Sequence, residues 1–300
     1  MNLAGIFPPV ATPFTPGGEL DLGALRFNVD RWAATGLRGL VLLGTNGESA
    51  LVDDDEADRV VEAARDRLPR DRELIVGTGR ESTRATIAAS RRAAAAGATA
   101  VLVRAPSFFK GQMDTAAFLR HYTAVADASP VPVVLYNFPQ AFGVNLSIPA
   151  IVRLAEHPNI AGMKESSGDI GQIADEVSQT PDRFLVVVGS APTLYASLCV
   201  GAIGGVVALA NVMPDLCVRL YELTTSGRAA EALRLQRALT PLAKLVTGVH
   251  GVPGLKAAMT LAGYRGGAPR LPLAPAGDAC IEEIRGAMQT LATVTGTAAR

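Results

Sequence analysis

Along this chain, short unbroken runs of Val, Ile, Leu and Ala alternate with longer stretches in which apolar residues recur every three or four positions. The runs cover residues 5–11, 39–43, 74–78, 100–104, 131–136, 160–164, 184–189 and 205–209. Most do not alternate apolar with polar. A strand covered on both faces has that composition, as parallel strands beneath a helical layer do, whereas a half-exposed antiparallel strand alternates. Between the runs, helical spacing predicts helices over residues 53–68, 82–96, 115–128 and 169–178. Local chemistry agrees. Ser82 and Asp114 stand where N-caps belong, Asp53, Asp54 and Asp55 suit the positive first turn of a helix, and Gly97 stands where a helix ends.

Eight strand-then-helix units predict an α/β chain folded as a (β/α)8 barrel, typically about 250 residues long, since open doubly wound sheets usually have fewer strands. After residue 209 the strand signals stop, and helical patterns run over 216–225, 229–246, 253–262 and 278–291. The first completes the outer ring. The other three form an appended helical segment, interrupted at Gly248 and by the Gly- and Pro-rich loop 263–275. The expected division is a catalytic barrel over 1–226 and a C-terminal helical segment over 227–300.

Charge narrows the partners. The 28 basic and 28 acidic side chains cancel, leaving no net field to attract nucleic acid or an anionic membrane, so a small molecule is the expected ligand. Cys199, Cys217 and Cys280 are scattered singly, which suits a reducing compartment. No basic-then-apolar leader opens the chain, no apolar run approaches the length of a membrane span, and a cytoplasmic protein is expected. His121, His157 and His250 lack ligand spacing, so neither metal nor cofactor is expected.

In a barrel of this kind, chemistry sits where the strands end at their C-terminal side. The sixth run ends at Lys164. Most lysines at strand ends simply reach for water, but an amine aimed into a barrel mouth is partly desolvated, which favours the neutral nucleophile that Schiff-base chemistry uses. The fifth run ends at Tyr136. An interior tyrosine is ordinarily a packed ring with one satisfied hydroxyl, yet beside an imine a phenol donates and accepts protons. The second run ends in Gly44-Thr45-Asn46-Gly47-Glu48-Ser49, whose backbone N–H groups, Thr45 hydroxyl and Asn46 amide suit a carboxylate; a plain strand-to-helix loop explains the same glycines. No nucleotide-binding glycine motif is present.

Together, Gly44-Thr45-Asn46-Gly47-Glu48, Tyr136-Asn137-Phe138-Pro139 and Lys164-Glu165-Ser166-Ser167-Gly168-Asp169 resemble the dihydrodipicolinate synthase and N-acetylneuraminate lyase family, across essentially the whole chain. Gly189-Ser190 and Gly204-Gly205-Val206 look like that family too. The resemblance implies a homotetramer or homodimer acting on pyruvate or a related 2-oxo acid. It makes Lys164 the imine-forming lysine, Tyr136 the proton shuttle, and Thr45, Asn46, Ser166, Gly189 and Val206 the substrate-binding set.

Within the family the motifs divide. Synthases carry an arginine two residues after Tyr-Asn-x-Pro, where this chain has Ala141, a second threonine where Asn46 stands, and a tyrosine lent across the subunit interface where Phe108 stands. The glycine turn, Phe109-Lys110-Gly111-Gln112-Met113 and residues 121–139, 208–212 and 251–267 look instead like the 4-hydroxy-2-oxoglutarate aldolase branch. The expected reaction is cleavage of a 4-hydroxy-2-oxo acid to pyruvate and an aldehyde. The alternatives are the synthase, a 2-keto-3-deoxy sugar acid aldolase or dehydratase, and, outside enzymes, a barrel that senses a 2-oxo acid without turning it over.

Overall fold

The computed structural model describes residues 1–296. Eight parallel strands form its centre: β1 (Gly5–Phe7), β2 (Gly39–Leu42), β3 (Glu73–Gly77), β4 (Ala100–Arg104), β5 (Val133–Asn137), β6 (Ile160–Glu165), β7 (Leu185–Val188) and β8 (Gly204–Val206). They are bonded in the order β1-β8-β7-β6-β5-β4-β3-β2. Around them lie α1 (Leu22–Ala33), α2 (Asp54–Arg65), α3 (Thr83–Ala95), α4 (Thr115–Ala128), the one-turn α5 (Pro139–Phe142), α6 (Ile148–Ala155), α7 (Ile170–Gln179), α8 (Leu194–Cys199) and α9 (Pro214–Thr225). The remaining helices are α10 (Ala229–Ala243), α11 (Gly251–Leu261) and α12 (Asp278–Thr295). This is a TIM barrel with a C-terminal helical addition.

At two strands whose ladders fall short of the apolar runs, proline is near. The first run was expected to reach Ala11, but Pro8 and Pro9 have no N–H to donate, so the regular ladder stops at Phe7. The segment nonetheless closes the barrel: Val10 N–H donates to the Val41 carbonyl at 2.8 Å, and Val41 N–H to that of Pro8 at 3.1 Å. The fifth strand begins at Val133, just past Pro132, and not at Val131. The eighth is shorter than expected because after Val206 the chain turns into a 3-10 segment, Ala208–Asn211. The expected helix over 229–246 stops at Ala243 and widens into a π-helical turn, Lys244–Val249, so Gly248 lies inside that turn and not in a loop.

Caps fix the helix starts. Asp53 and Glu56 form a reciprocal capping box on α2, while Ser82, Asp114 and Asp169 each accept an N–H from the first turn of α3, α4 and α7. Phe7, Val41, Ile75, Leu102, Val134 and Val187 fill the barrel interior, and a second, larger apolar layer lies between strands and helices.

The C-terminal helices share that second layer. Leu235, Leu239, Leu255, Met259, Ile284 and Leu291 are buried in it. Trp32 of α1 stacks on Tyr264 at 5.4 Å, and Asn28 exchanges two hydrogen bonds of 2.8 Å with the backbone of Arg265. Arg270 grips Glu56 with two bonds of 2.6 Å. Deepest of all, the Lys256 ammonium pairs with the Glu48 carboxylate, their side chains 2% and 1% exposed. We propose that the division near residue 226 is one of topology, and that 1–226 and the described part of the segment, 227–296, unfold together.

Lys256→Met is expected to leave Glu48 buried without its counter-charge and to cost about 3–5 kcal/mol, read as a fall in the urea midpoint. Combining it with Glu48→Gln, which removes the stranded charge, is expected to recover part of that loss. Equal midpoints for Lys256→Met and the parent would show that the pair does not hold the segment.

Candidate active site

Parallel register sets the site. Tyr136 on β5 is paired side by side with Lys164 on β6, so both side chains leave the same face of the sheet. That face is the interior one, because Val134 and Tyr136 belong to the inner cluster. Both residues are 4% exposed. The Lys164 Nζ lies 4.3 Å from the centre of the Tyr136 ring, and the Tyr136 hydroxyl is 3.2 Å from Thr45 Oγ1. Lysine, tyrosine and threonine from three strand ends are thereby linked.

Phe138 and Phe142 wall the tyrosine, Phe142 meeting it edge-on at 5.3 Å. Gly189 makes the room on the other side: a Cβ there would fall 1.9 Å from Ser166 Oγ and 3.0 Å from Lys164 Cε. The Ser166 hydroxyl is buried and has no hydrogen-bond partner among the described residues. Val206 is an apolar member of the inner cluster with no polar side-chain group to offer.

The glycine turn is held from below and behind. Gly47 and Glu48 donate their N–H groups to the carbonyls of Gly44 and Thr45, at 3.0 and 3.1 Å, so the turn consumes donors that the sequence alone leaves free for a ligand. Thr45 and Asn46 remain as the ones it can offer. Glu48 sits in the left-handed region, at φ 54°, a conformation that costs a non-glycine residue about 1–3 kcal/mol unless its surroundings enforce it. The enforcement is visible: besides Lys256, the Glu48 carboxylate accepts the Arg270 N–H at 2.8 Å. Burial pulls the Lys256 ammonium below its usual range, opposed by this carboxylate.

Of the histidines, His121 bonds Thr83, His157 bonds Asp127 and His250 bonds Glu283, none at these strand ends. Among the described residues no cluster of three His, Cys, Asp or Glu is placed to hold a metal. No helix among them is long and apolar enough to cross a membrane. A cavity of about 480 Å³ opens between α1, α9, α11 and α12, beside Arg31 and Tyr264, and contains none of the strand-end residues. The convergence of polar groups points instead to the barrel mouth.

A family model of dihydrodipicolinate synthetases matches residues 2–291. The chain belongs to that family. Relatives include a 4-hydroxy-tetrahydrodipicolinate synthase of Exiguobacterium, 38% identical over 276 residues, covering 90% of this chain and 92% of the relative. A probable mitochondrial 4-hydroxy-2-oxoglutarate aldolase of Emericella nidulans is 38% identical over 267 residues, covering 87% and 85%. Among solved structures, dihydrodipicolinate synthase of Thermotoga maritima superposes with a TM-score of 0.92 at 31% identity, over 96% and 98% of the two chains. The chain is accordingly an enzyme of the lyase class.

In this lyase the residues next to the strand-end lysine form a second network that sequence reading did not single out. Glu165 alternates to the helical side of β6 and is fully buried. Its carboxylate accepts from Asn137 Nδ2 at 2.7 Å, Gln172 Nε2 at 3.1 Å and the Ser167 N–H at 2.5 Å. Gln172 Nε2 also reaches Glu176 at 3.0 Å. Burial and the Glu165 carboxylate push the Glu176 carboxyl up to about 9. Glu165 has the donors, and Glu176 keeps the proton.

A carboxyl group whose folded pKa lies above its unfolded value binds more protons in the native state, so its stabilising effect is complete below the unfolded pKa and fades as pH rises toward the folded one. The parent is therefore expected to lose stability as pH climbs from about 5 to 9, and Glu176→Gln to flatten that slope and exceed the parent at the alkaline end. Unfolding midpoints measured across this range check it; parallel profiles would place the proton elsewhere.

Proposed function

We propose that this enzyme is a Schiff-base aldolase that cleaves a 4-hydroxy-2-oxo acid, 4-hydroxy-2-oxoglutarate foremost, into pyruvate and an aldehyde. The observation that carries the reading is the side-by-side register of Tyr136 and Lys164 with the Tyr136 hydroxyl held by Thr45. The Lys164 amine adds to the C2 carbonyl and, with loss of water, gives an iminium. Tyr136 accepts the proton of the C4 hydroxyl as the C3–C4 bond breaks, and the bond electrons pass into the iminium to form an enamine. The aldehyde leaves, C3 takes a proton, and hydrolysis frees pyruvate and the amine. Thr45, Asn46 and the unpartnered Ser166 hydroxyl serve the C1 carboxylate, while Gly189 and Val206 shape the space beside it.

Likeness to named synthases favours a second reading, condensation of pyruvate with aspartate semialdehyde. The side chains weigh against it. Ala141 offers no cation, and the neighbouring Gln140 spends its amide on the Ser167 carbonyl at 2.8 Å. Loss of one charged hydrogen bond alone is worth about 1.5–3 kcal/mol of binding. As part of the same proposal, the enzyme works in the cytoplasm without metal or cofactor and assembles as a homotetramer or homodimer, for which Phe108 and Phe109, 76% and 67% exposed, supply apolar surface.

Pyruvate with borohydride is expected to fix mass at Lys164, because hydride reduces the imine to a stable secondary amine, and Lys164→Ala is expected to abolish trapping and turnover while remaining folded. Tyr136→Phe is expected to slow cleavage by about 100-fold or more while still forming some imine. Adducts on another lysine, or faster condensation with the semialdehyde than cleavage of any 4-hydroxy-2-oxo acid, would overturn the assignment.

A further inference from the structure

Arg104, the last residue of β4, is paired side by side with Tyr136, just as Tyr136 is paired with Lys164. Ala100 and Leu102 of the same strand belong to the barrel interior, so alternation sends Arg104 inward too. Gly79 leaves room beside it: a Cβ there would fall 2.6 Å from both Arg104 Cγ and the Arg104 backbone N. Arginine, tyrosine and lysine thus stand in one row across three adjacent strands, spaced about 4.8 Å apart along the row. The guanidinium lies 5.8 Å from the centre of the Phe142 ring, the ring that meets Tyr136 edge-on.

The row has a direction that a substrate can follow. With C2 of a five-carbon 2-oxo acid bonded to Lys164 and its C4 oxygen at Tyr136, C5 lies toward Arg104. We propose that Arg104 binds the distal carboxylate and makes the enzyme selective for 2-oxo dicarboxylic acids, a step that rests on the Schiff-base reading of Lys164. Arginine suits the task, since its planar fork matches a carboxylate bidentately and never deprotonates. It also supplies a cation from β4 in a site where the loop after β5 offers none at Ala141.

Glu81 restrains this cation. Arg104 Nη1 donates to Glu81 Oε1 at 2.7 Å, and Glu81 Oε2 accepts the N–H groups of Ser107 and Phe108, both at 2.8 Å. Burial pushes the Glu81 carboxyl up, but these donors outweigh it and hold the group below its usual range. The ion pair is open to solvent on both sides, at 26% and 43% exposure, so a ligand carboxylate has access to the remaining guanidinium N–H groups. Another cation beside this loop is Lys110, which is exposed; its Nζ lies near Gly143.

The test compares 2-oxoglutarate with 2-oxopentanoate, which puts a methyl group where the distal carboxylate stands, as competitors of pyruvate for borohydride trapping at Lys164. Neither needs to be cleaved, so the outcome is independent of the aldol step. The parent is expected to favour 2-oxoglutarate by about 10- to 100-fold, the range of one charged hydrogen-bonded pair. Arg104→Gln is expected to bring the ratio near one, Arg104→Lys to restore part of it, and Glu81→Gln, which frees the guanidinium, to raise it. A purely structural role for the pair would lower it in both Gln variants. Lys110→Gln is the control and is expected to keep the parent ratio. An unchanged ratio in Arg104→Gln, or a loss confined to Lys110→Gln, overturns the proposal while leaving the Schiff-base reading intact. No adduct at Lys164 in the parent overturns both.

Discussion

The buried ion pair between Glu48 and Lys256 is the constraint on which the barrel mouth depends. Glu48 is the end of the glycine turn, and its backbone is left-handed, so the turn does not hold its shape by local preference. A carboxylate this deep in the protein requires a counter-charge and hydrogen bonds. Both come from the far end of the chain, from Lys256 and the Arg270 N–H. Lys256 is itself held by the Ala268 carbonyl at 2.6 Å and lies over the Phe14 ring. The C-terminal helices are in this sense part of the site: they set the turn that presents Thr45, and Thr45 orients the Tyr136 hydroxyl.

The second constraint is space. A barrel interior is filled with side chains, and long polar ones fit at its mouth only where a neighbouring strand gives up its own. Gly189 does so for Lys164 and Ser166, and Gly79 does so for Arg104. Alternating register then turns three strand ends into a row of an amine, a phenol and a guanidinium, each separated from the next by one strand spacing. The chemistry comes from the parallel sheet as much as from the residues, since a slip of one position in β4 or β6 would aim the charge into the helical layer.

Lys164 and Tyr136 were legible in the sequence because a polar residue that ends an unbroken apolar strand is conspicuous, and the eight-unit rhythm said which end mattered. Arg104 ends its run in the same way, yet it passed for the last residue of an ordinary strand: nothing in the linear chain tells which parity faces inward until the neighbours Leu102 and Tyr136 are placed. Lys256 was invisible for a different reason. On a helical pattern it looks like any solvated lysine, and its partner lies more than two hundred residues away. Strand limits were misread where Pro8, Pro9 and Pro132 withhold donors from runs that are otherwise apolar. The free N–H groups expected of the glycine turn were overcounted because Gly47 and Glu48 spend theirs on carbonyls within the turn.

Buried acids behind this site are neutralised in two different ways, and the difference follows from what surrounds each. Glu48 faces a cation within reach, and the pair ties two distant parts of the chain together. Glu176 faces another carboxylate, and no ammonium or guanidinium pairs with it among the contacts of the described residues, so the low-dielectric surroundings leave protonation as the way to relieve the repulsion. Glu165 itself is held by three donors directly behind Lys164. Glu165 in turn fixes Asn137 and the Ser167 N–H, the residues that follow Tyr136 and Lys164 by one and three positions. The strand ends that carry Tyr136 and Lys164 toward the barrel interior are thus held in place by a polar network on the opposite face.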